Sequence, residues 1–319
     1  MSPLKIVLFL WVAVVAHLVH ARAIGVMPPQ VKRDLPGWPS STAAPQPVPD
    51  PVSMYQQFAG LAQESNCVNY KINMTIGDAK LLYSWGDGDH DQRLQLFHSK
   101  SLGIVASWSG MNQSSLTSLL SAADLFLVDP NRDLFPMVLP GTKVFQGFQS
   151  AYERVASRLL EKLDYYQNMY DEDRVSFTGL SYGAALSALA VQHVDANLKR
   201  GSVYKTVVFG LPRIGNREWA NSLDKHMKGR FYYVVNGPDL VPHMPPREWG
   251  YQQPSGQIWI NPANSTHWKF YPGQENVHGA DSVLAFNIPD HTGVYFNTEI
   301  ASYWGHCPAT IGQDGGKSS

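Results

Sequence analysis

Apolar residues fall into short β-branched runs that alternate with stretches of helical spacing. Five runs predict strands, at residues 103–107, 175–178, 206–209, 231–235 and 257–260. Apolar residues recur at steps of three and four over 146–170, and a second helix-forming stretch covers about 182–197. This order of elements predicts an α/β domain with a central, mostly parallel sheet flanked by helices.

The N-terminal part of the chain lacks this pattern. Residues 1–23 indicate a signal peptide, because a lysine precedes an apolar run over 6–19 and Ala21-Arg-Ala23 forms a small-x-small cleavage site. The alternative is a membrane anchor, but the run is shorter than the roughly 20 residues that cross a bilayer. Residues 24–51 are rich in Pro, Ser and Gln, which predicts a propeptide or flexible segment. Residues 52–319 would then form one globular domain.

Composition narrows the range of partners. The chain carries 25 basic and 26 acidic side chains, and 44% of its residues are hydrophobic, enough for a substantial core. We find no basic run of five or more, so neither nucleic acid nor an anionic membrane surface is expected as a partner. No segment after the signal peptide has the length and apolarity of a transmembrane span. The signal peptide therefore predicts a secreted, extracellular protein, and we expect a monomer, although the sequence leaves the oligomeric state open.

Secretion changes how the cysteines and the asparagine sequons are interpreted. In an oxidising compartment Cys67 and Cys307 are expected to form a disulfide, worth on the order of 4 to 5 kcal/mol in loop-entropy models. Two buried free thiols are the alternative. Asn-x-Ser/Thr sequons predict glycosylation at Asn73 and Asn264. A third sequon, at Asn112, is expected to stay unmodified because a glycan there would crowd the site inferred below.

A candidate nucleophile lies between a predicted strand and a predicted helix. The string Gly179-Leu-Ser181-Tyr-Gly183 matches Gly-x-Ser-x-Gly, in which two glycines permit a sharp turn that exposes the serine hydroxyl. An ordinary turn with a structural serine is the alternative. A serine hydroxyl needs a base and an orienting carboxylate, and in α/β-hydrolases both follow the serine in the chain. Asp239 and His291 fit these positions; the rivals are Asp281, Asp290, His243, His278 and His306.

Several further motifs, in order along the chain, resemble those of the class 3 lipase family of secreted fungal lipases and feruloyl esterases. They are Phe209-Gly-Leu-Pro-Arg-Ile-Gly-Asn216, Asn236-Gly-Pro-Asp-Leu-Val-Pro242, Pro272-Gly-Gln-Glu-Asn276 and Asp290-His-Thr-Gly-Val-Tyr295. The resemblance covers most of residues 58–308 and implies an α/β-hydrolase fold with a short helical lid. It also implies a catalytic triad of Ser181, Asp239 and His291 that requires no metal or organic cofactor.

The resemblance further implies an oxyanion hole and a lid. The hole would use the backbone N–H groups of Met111 and Tyr182. The lid would be a short amphipathic helix that opens at an oil–water interface, and its expected residues are Ser115, Leu116, Leu119 and Leu120. An ordinary surface helix is the alternative. The chain departs from the family at Met111, which lacks the usual hydroxyl, and at Leu180, Tyr182 and Tyr271.

These features predict a serine ester hydrolase, a lipase that hydrolyses acylglycerols through an acyl-enzyme. Two alternatives stay open at this point. One is an esterase that acts on feruloyl or other soluble esters. The other is a catalytically impaired homologue that binds lipid, an alternative suggested by the residues at Met111 and Leu180.

Overall fold

A computed structural model describes residues 40–111, 115, 125–301 and 306–312. The helices are α1 (Val52–Glu64), α2 (Gln146–Glu153), α3 (Ala156–Tyr170), α4 (Tyr182–Asn197) and α5 (Arg217–Met227). The strands are β1 (Thr75–Ile76), β2 (Ala79–Trp85), β3 (Leu94–Ser99), β4 (Gly103–Trp108), β5 (Leu127–Val128), β6 (Val144–Phe145), β7 (Arg174–Gly179), β8 (Ser202–Phe209), β9 (Phe231–Asn236), β10 (Gln257–Ile260), β11 (Trp268–Tyr271), β12 (Gly293–Tyr295) and β13 (Thr298–Ile300).

Most strands join one large sheet with the order β1-β2-β3-β4-β7-β8-β9-β10-β11. Neighbouring strands among β4, β7, β8, β9 and β10 pair in parallel, while β1 to β3 and β11 add antiparallel edges. Every residue of β4 and β9 is buried, as expected for parallel strands covered on both faces. The mostly parallel sheet predicted from the sequence is therefore confirmed.

Two apolar cores lie on opposite faces of this sheet. In β4, Ile104 and Trp108 belong to one core and Val105 belongs to the other, because successive side chains of a strand point to opposite faces. Helices α2, α3 and α4 contribute to the first core, and α1 and the β12–β13 hairpin contribute to the second. Helix α4 is buried over 182–194. It packs against β4, β7 and β8 and so fixes where the β7–α4 turn lies.

All five predicted strands are present, most of them longer by one to four residues than the sequence pattern indicated. The helix predicted over 182–197 is confirmed. The single helix predicted over 146–170 is wrong, since Arg154 and Val155 separate α2 from α3. There the Val155 N–H bonds the Tyr152 carbonyl, three residues back rather than four.

The N-terminal and C-terminal ends of the described chain are tied to the domain. Gln46 pairs with Phe270 of the β11 edge, and the Lys205 ammonium lies 2.8 Å from an Asp50 carboxylate oxygen. Residues 40–51, within the predicted propeptide or flexible segment, therefore contact the sheet. The predicted disulfide between Cys67 and Cys307 is present.

Several sequence predictions fall outside the described residues. They are the signal peptide over 1–23, the first part of the 24–51 segment, the Asn112 sequon, and the lid residues Leu116, Leu119 and Leu120. Ser115 is described as helical and half-buried. Asn73 and Asn264 are exposed, and their glycosylation stays a prediction. Among the helices that are described, none is long and apolar enough to cross a membrane.

Candidate active site

The turn between β7 and α4 carries Ser181 at its apex. Ser181 has a φ of +60°, a strained conformation for a residue with a side chain. A Cβ at Gly179 would lie 2.6 Å from the Gly183 carbonyl carbon, and a Cβ at Gly183 would lie 2.2 Å from the Trp108 carbonyl oxygen. Both glycines are therefore required by close backbone contacts, and the turn has the geometry of a nucleophile elbow.

Helix α4 begins directly after this serine. Tyr182 is its first residue, and the N–H groups in the first turn of a helix have no partner within the helix. The helix dipole also places partial positive charge at this end. The predicted donor at Tyr182 thus lies at the positive end of a buried helix, directly after Ser181 in the chain.

Asp239 follows β9 across a tight turn and is fully buried. Its Oδ1 accepts a hydrogen bond from the Val241 N–H at 2.9 Å, and its Oδ2 lies 2.8 Å from Nδ1 of His291. His291 ends a short 3₁₀ turn and is also buried. The structure therefore joins these two predicted residues, although 52 positions separate them in the chain.

The imidazole of His291 lies against Gly210, the residue after β8. A Cβ at Gly210 would fall 2.5 Å from His291 Cε1. The Ser181 N–H donates to the Phe209 carbonyl oxygen at 2.9 Å, so serine and imidazole both border the end of β8. Within the described part of the chain, the buried Ser181 hydroxyl and the buried His291 Nε2 have no hydrogen-bond partner. The end of β8 is therefore bordered by Ser181 and by the imidazole of His291, which is hydrogen-bonded to the Asp239 carboxylate.

The segment after β4 borders the same serine. A Cβ at Gly110 would lie 3.6 Å from Ser181 Cβ, which places this backbone against the elbow. The Gly110 N–H donates to the side-chain oxygen of buried Asn66 at 2.8 Å. Met111 follows, half-buried and packed against the first core. The predicted second donor is thus on a segment whose backbone is held beside Ser181.

The rival acids and bases have other partners. Both ring nitrogens of His243 face carbonyl oxygens, those of Asp239 and Ala280. His278 is exposed, and His306 is exposed and paired with Glu299. Asp290 contributes its carbonyl oxygen to a hydrogen bond from Asn236. Asp239 and His291 are therefore the predicted acid and base that are bonded to each other at the end of β8, which Ser181 also borders.

A buried charged cluster contacts the loop that follows Asp239. Arg213 donates two hydrogen bonds of 2.8 Å to Glu275, and it also donates to the carbonyl oxygens of His243 and Pro245. Burial raises the pKa of Asp281 well above its ordinary range, and the neighbouring Glu275 carboxylate adds to this effect. Arg213 therefore links a buried carboxylate to the loop that follows Asp239.

Protonation states in this cluster follow from burial and from Arg213. Burial alone would raise the pKa of Glu275, but the charge and hydrogen bonds of Arg213 outweigh it and lower the pKa to about 2. Burial, together with Arg213, lowers the pKa of His243 to about 4. At neutral pH His243 is therefore uncharged, and a proton on its Nδ1 can be donated to the Asp239 carbonyl, 2.9 Å away.

Sequence reasoning missed the residues that hold the site together. Gly210 and Arg213 lie in the motif over 209–216. Asn236 begins the motif over 236–242, and Glu275 lies in the motif over 272–276. The available signal was that these residues belong to the motifs but had been given no role of their own. Asn66 lies in no such motif, and only the fold shows that its side chain meets Gly110.

A family model and several known proteins match this chain. A family model described as Lipase (class 3) matches residues 105–249. A secreted mono- and diacylglycerol lipase of Malassezia restricta is 62% identical over 316 residues, 98% of this chain and 100% of the relative. A secreted mono- and diacylglycerol lipase of Malassezia globosa is 68% identical over 275 residues, 86% of this chain and 88% of the relative.

Among solved structures, the Lip2 lipase of Yarrowia lipolytica aligns with a TM-score of 0.69 at 23% identity, over 82% of this chain and 99% of that one. This likeness confirms the α/β-hydrolase fold. The match to the Malassezia restricta lipase extends over 98% of this chain. The chain belongs to the class 3 lipase family, as a secreted carboxylic ester hydrolase.

Proposed function

We propose that this lipase cleaves acylglycerol esters by acyl transfer to Ser181. His291 acts as the base, and the Asp239 carboxylate orients the imidazole. The observation that carries the proposal is the buried Asp239–His291 hydrogen bond of 2.8 Å at the strand end that also borders Ser181. The Ser181 oxygen attacks the ester carbonyl carbon as its proton passes to Nε2 of His291. The same proton then goes to the departing alcohol, and water releases the fatty acid in a second, equivalent step.

The orientation of the imidazole supports these roles. Its Nδ1 faces the Asp239 carboxylate, so the neutral ring carries its proton on Nδ1 and leaves Nε2 as the basic atom. The carboxylate then stabilises the imidazolium that forms during attack. Neither the Ser181 hydroxyl nor His291 Nε2 has another hydrogen-bond partner among the described residues, and a bond between the two is expected to form once an ester is bound.

Charge that develops on the carbonyl oxygen needs donors fixed in advance. We assign this role to the backbone N–H groups of Tyr182 and Met111. Tyr182 begins a buried helix, and Met111 follows Gly110, whose own N–H is held by Asn66 at 2.8 Å. Loss of one such donor typically costs about 3 kcal/mol of transition-state stabilisation. Since both donors are backbone groups, Met111 can serve without a hydroxyl.

The glyceride class is inferred from the relatives. Enzymes that are 62% and 68% identical to this chain are named mono- and diacylglycerol lipases. We infer that this chain likewise prefers partial glycerides over triacylglycerols. The predicted lid around Ser115 would open at an oil–water interface, and the predicted signal peptide over 1–23 would direct secretion.

Labelling with a fluorophosphonate probe tests the chemistry. An activated serine reacts covalently with the probe, so the unaltered protein should be labelled on Ser181. Ser181→Ala should abolish both labelling and hydrolysis of p-nitrophenyl butyrate while the circular dichroism spectrum is retained. Hydrolysis that persists in Ser181→Ala would refute the assignment, and an unlabelled parent protein would favour a lipid-binding homologue.

Rates on emulsions of monoolein, diolein and triolein test the substrate class separately. Faster release of oleate from monoolein and diolein than from triolein is expected. Ser181→Ala serves as the matched blank for each emulsion. Equal or faster hydrolysis of triolein would overturn the inferred preference and leave the chemistry intact.

A further inference from the structure

We propose that Asn236 and Asn264 act together as positioning residues for His291, through a pair of amide side chains that joins the acid-bearing turn to the histidine-bearing segment. This inference rests on the proposed function, because it assumes that His291 is the base. It concerns residues that do not touch the reacting atoms. Their contribution would be to keep the imidazole at the Asp239 carboxylate.

Asn236 ends β9, three residues before Asp239, and is fully buried. Its Oδ1 accepts the Asn264 N–H at 2.8 Å. Its Nδ2 donates to Asn264 Oδ1 at 3.2 Å and to the Asp290 carbonyl oxygen at 3.0 Å. Asp290 directly precedes His291, so one buried amide links the chain before the acid to the chain before the base.

Asn264 holds the other side of the histidine. Its Oδ1 accepts the Val294 N–H at 2.7 Å, in addition to the bond from Asn236. A Cβ at Gly293 would lie 2.1 Å from the same oxygen, which shows how closely the backbone passes. The two asparagines therefore contact the chain on both sides of His291, at Asp290 and at Val294.

The turns that carry the two asparagines also pack directly on each other. Gly237 has a φ of +53°, and a Cβ there would lie 2.5 Å from Ala263 Cβ. Asn264 itself has a φ of +62°, a conformation that asparagine and glycine tolerate better than other residues. The backbone thus presents both amides to each other with their polar atoms already aligned.

Positioning at this level affects turnover more than binding. A misplacement of about 1 Å at a catalytic group can lower the rate about 10²-fold. The amide pair contacts backbone groups that flank His291, so its loss should move the ring relative to Ser181 and Asp239. We expect a lower kcat with little change in KM for a soluble ester.

Two substitutions at Asn264 provide a matched test. Asn264→Gly suits the φ of +62° but removes the accepting oxygen, whereas Asn264→Asp keeps an oxygen that can accept from both N–H donors. Both changes remove the sequon, so loss of the predicted glycan affects them equally. Because residue 264 is exposed, neither change should prevent folding.

The measurement is kcat and KM for p-nitrophenyl butyrate, with the rate of fluorophosphonate labelling and the thermal midpoint recorded in parallel. We expect kcat to fall 10- to 100-fold in Asn264→Gly, with KM within about threefold, and Asn264→Asp to stay within about threefold of the parent. Parent-like kcat in Asn264→Gly, or an equal loss in both variants, would overturn the inference. If the parent protein itself is not labelled, the proposed function fails instead.

Discussion

Ser181 lies at a turn between one strand and one helix, whereas Asp239 and His291 meet where separate loops touch. The serine turn is fixed by backbone contacts of Gly179 and Gly183. The acid–base pair depends on side-chain hydrogen bonds, including those of Asn236 that reach the chain beside His291. One half of the site is thus a continuous segment fixed by close backbone contacts, including contacts with β4, and the other half is held by buried polar contacts between distant loops.

The difference teaches where each half is vulnerable. A steric elbow fails when atoms are added, because the neighbouring backbone cannot move without disturbing the sheet. The acid–base pair is disrupted when a donor or acceptor is removed, because the buried partner is left without a hydrogen bond. A methyl group added to each half, and a charge removed from the acid–base half, should therefore affect stability and turnover to different degrees.

Gly183→Ala should have the largest effect. Its Cβ would lie 2.2 Å from the Trp108 carbonyl oxygen, and that oxygen belongs to the central strand β4. We expect a stability loss of more than about 4 kcal/mol together with loss of hydrolysis. Thermal unfolding and p-nitrophenyl butyrate hydrolysis measure the two effects.

Gly210→Ala is the matched change in the other half. There the added Cβ would meet the His291 ring, at 2.5 Å, rather than a backbone oxygen. We expect the protein to fold but to lose more than about 10²-fold in kcat as the ring is displaced. Normal activity in Gly210→Ala would show that the ring position seen here is not the one used in catalysis.

Asp239→Asn should lower turnover while the fold is retained. An amide of the same size can no longer favour the imidazole tautomer that has its proton on Nδ1, and comparable changes in serine hydrolase triads cost about 10⁴-fold in kcat. Steady-state hydrolysis at pH 8 checks this. Asp290→Ala is the control, because Asp290 is the neighbouring rival acid and this change creates no Asn-x-Thr sequon with Thr292. Its activity should stay within about threefold; a larger loss there would favour the rival.

Arg213→Met should mainly reduce stability. It leaves the Glu275 carboxylate, whose side chain is 1% exposed, without its cation, and breaking such a buried pair typically costs about 3–5 kcal/mol. Urea unfolding at pH 7 measures the change. Arg200→Met is the control, since Arg200 pairs with exposed Asp171 and Asp173 and its loss should leave the unfolding midpoint unchanged.

The pH dependence of the same variant sharpens this prediction. The pKa of Glu275 is lowered to about 2 in the folded protein, so its contribution to stability is present above about pH 4.5 and is lost as pH falls through about 2. The difference in unfolding free energy between the parent and Arg213→Met should therefore shrink over that interval. A constant difference would mean that Arg213 stabilises through packing and not through charge.

The sequence by itself determined the central strands, helix α4 and the Gly-x-Ser-x-Gly turn between β7 and α4. These features depend on local periodicity and on two glycines four positions apart, so a single segment carries the information needed to predict them. The antiparallel β2 was not predicted. A bulge between Leu81 and Tyr83 shifts its register and interrupts the alternation that marks a strand.

Only the tertiary structure decided which acid meets which base. His243 lies four residues after Asp239, yet its ring faces the Asp239 carbonyl oxygen, while the more distant His291 meets the carboxylate. The contacts of Asn66 with Gly110 and of Arg213 with Glu275 likewise join separate segments. Such pairings depend on how the loops pack at the carboxyl ends of the strands, and spacing along the chain carries no record of them.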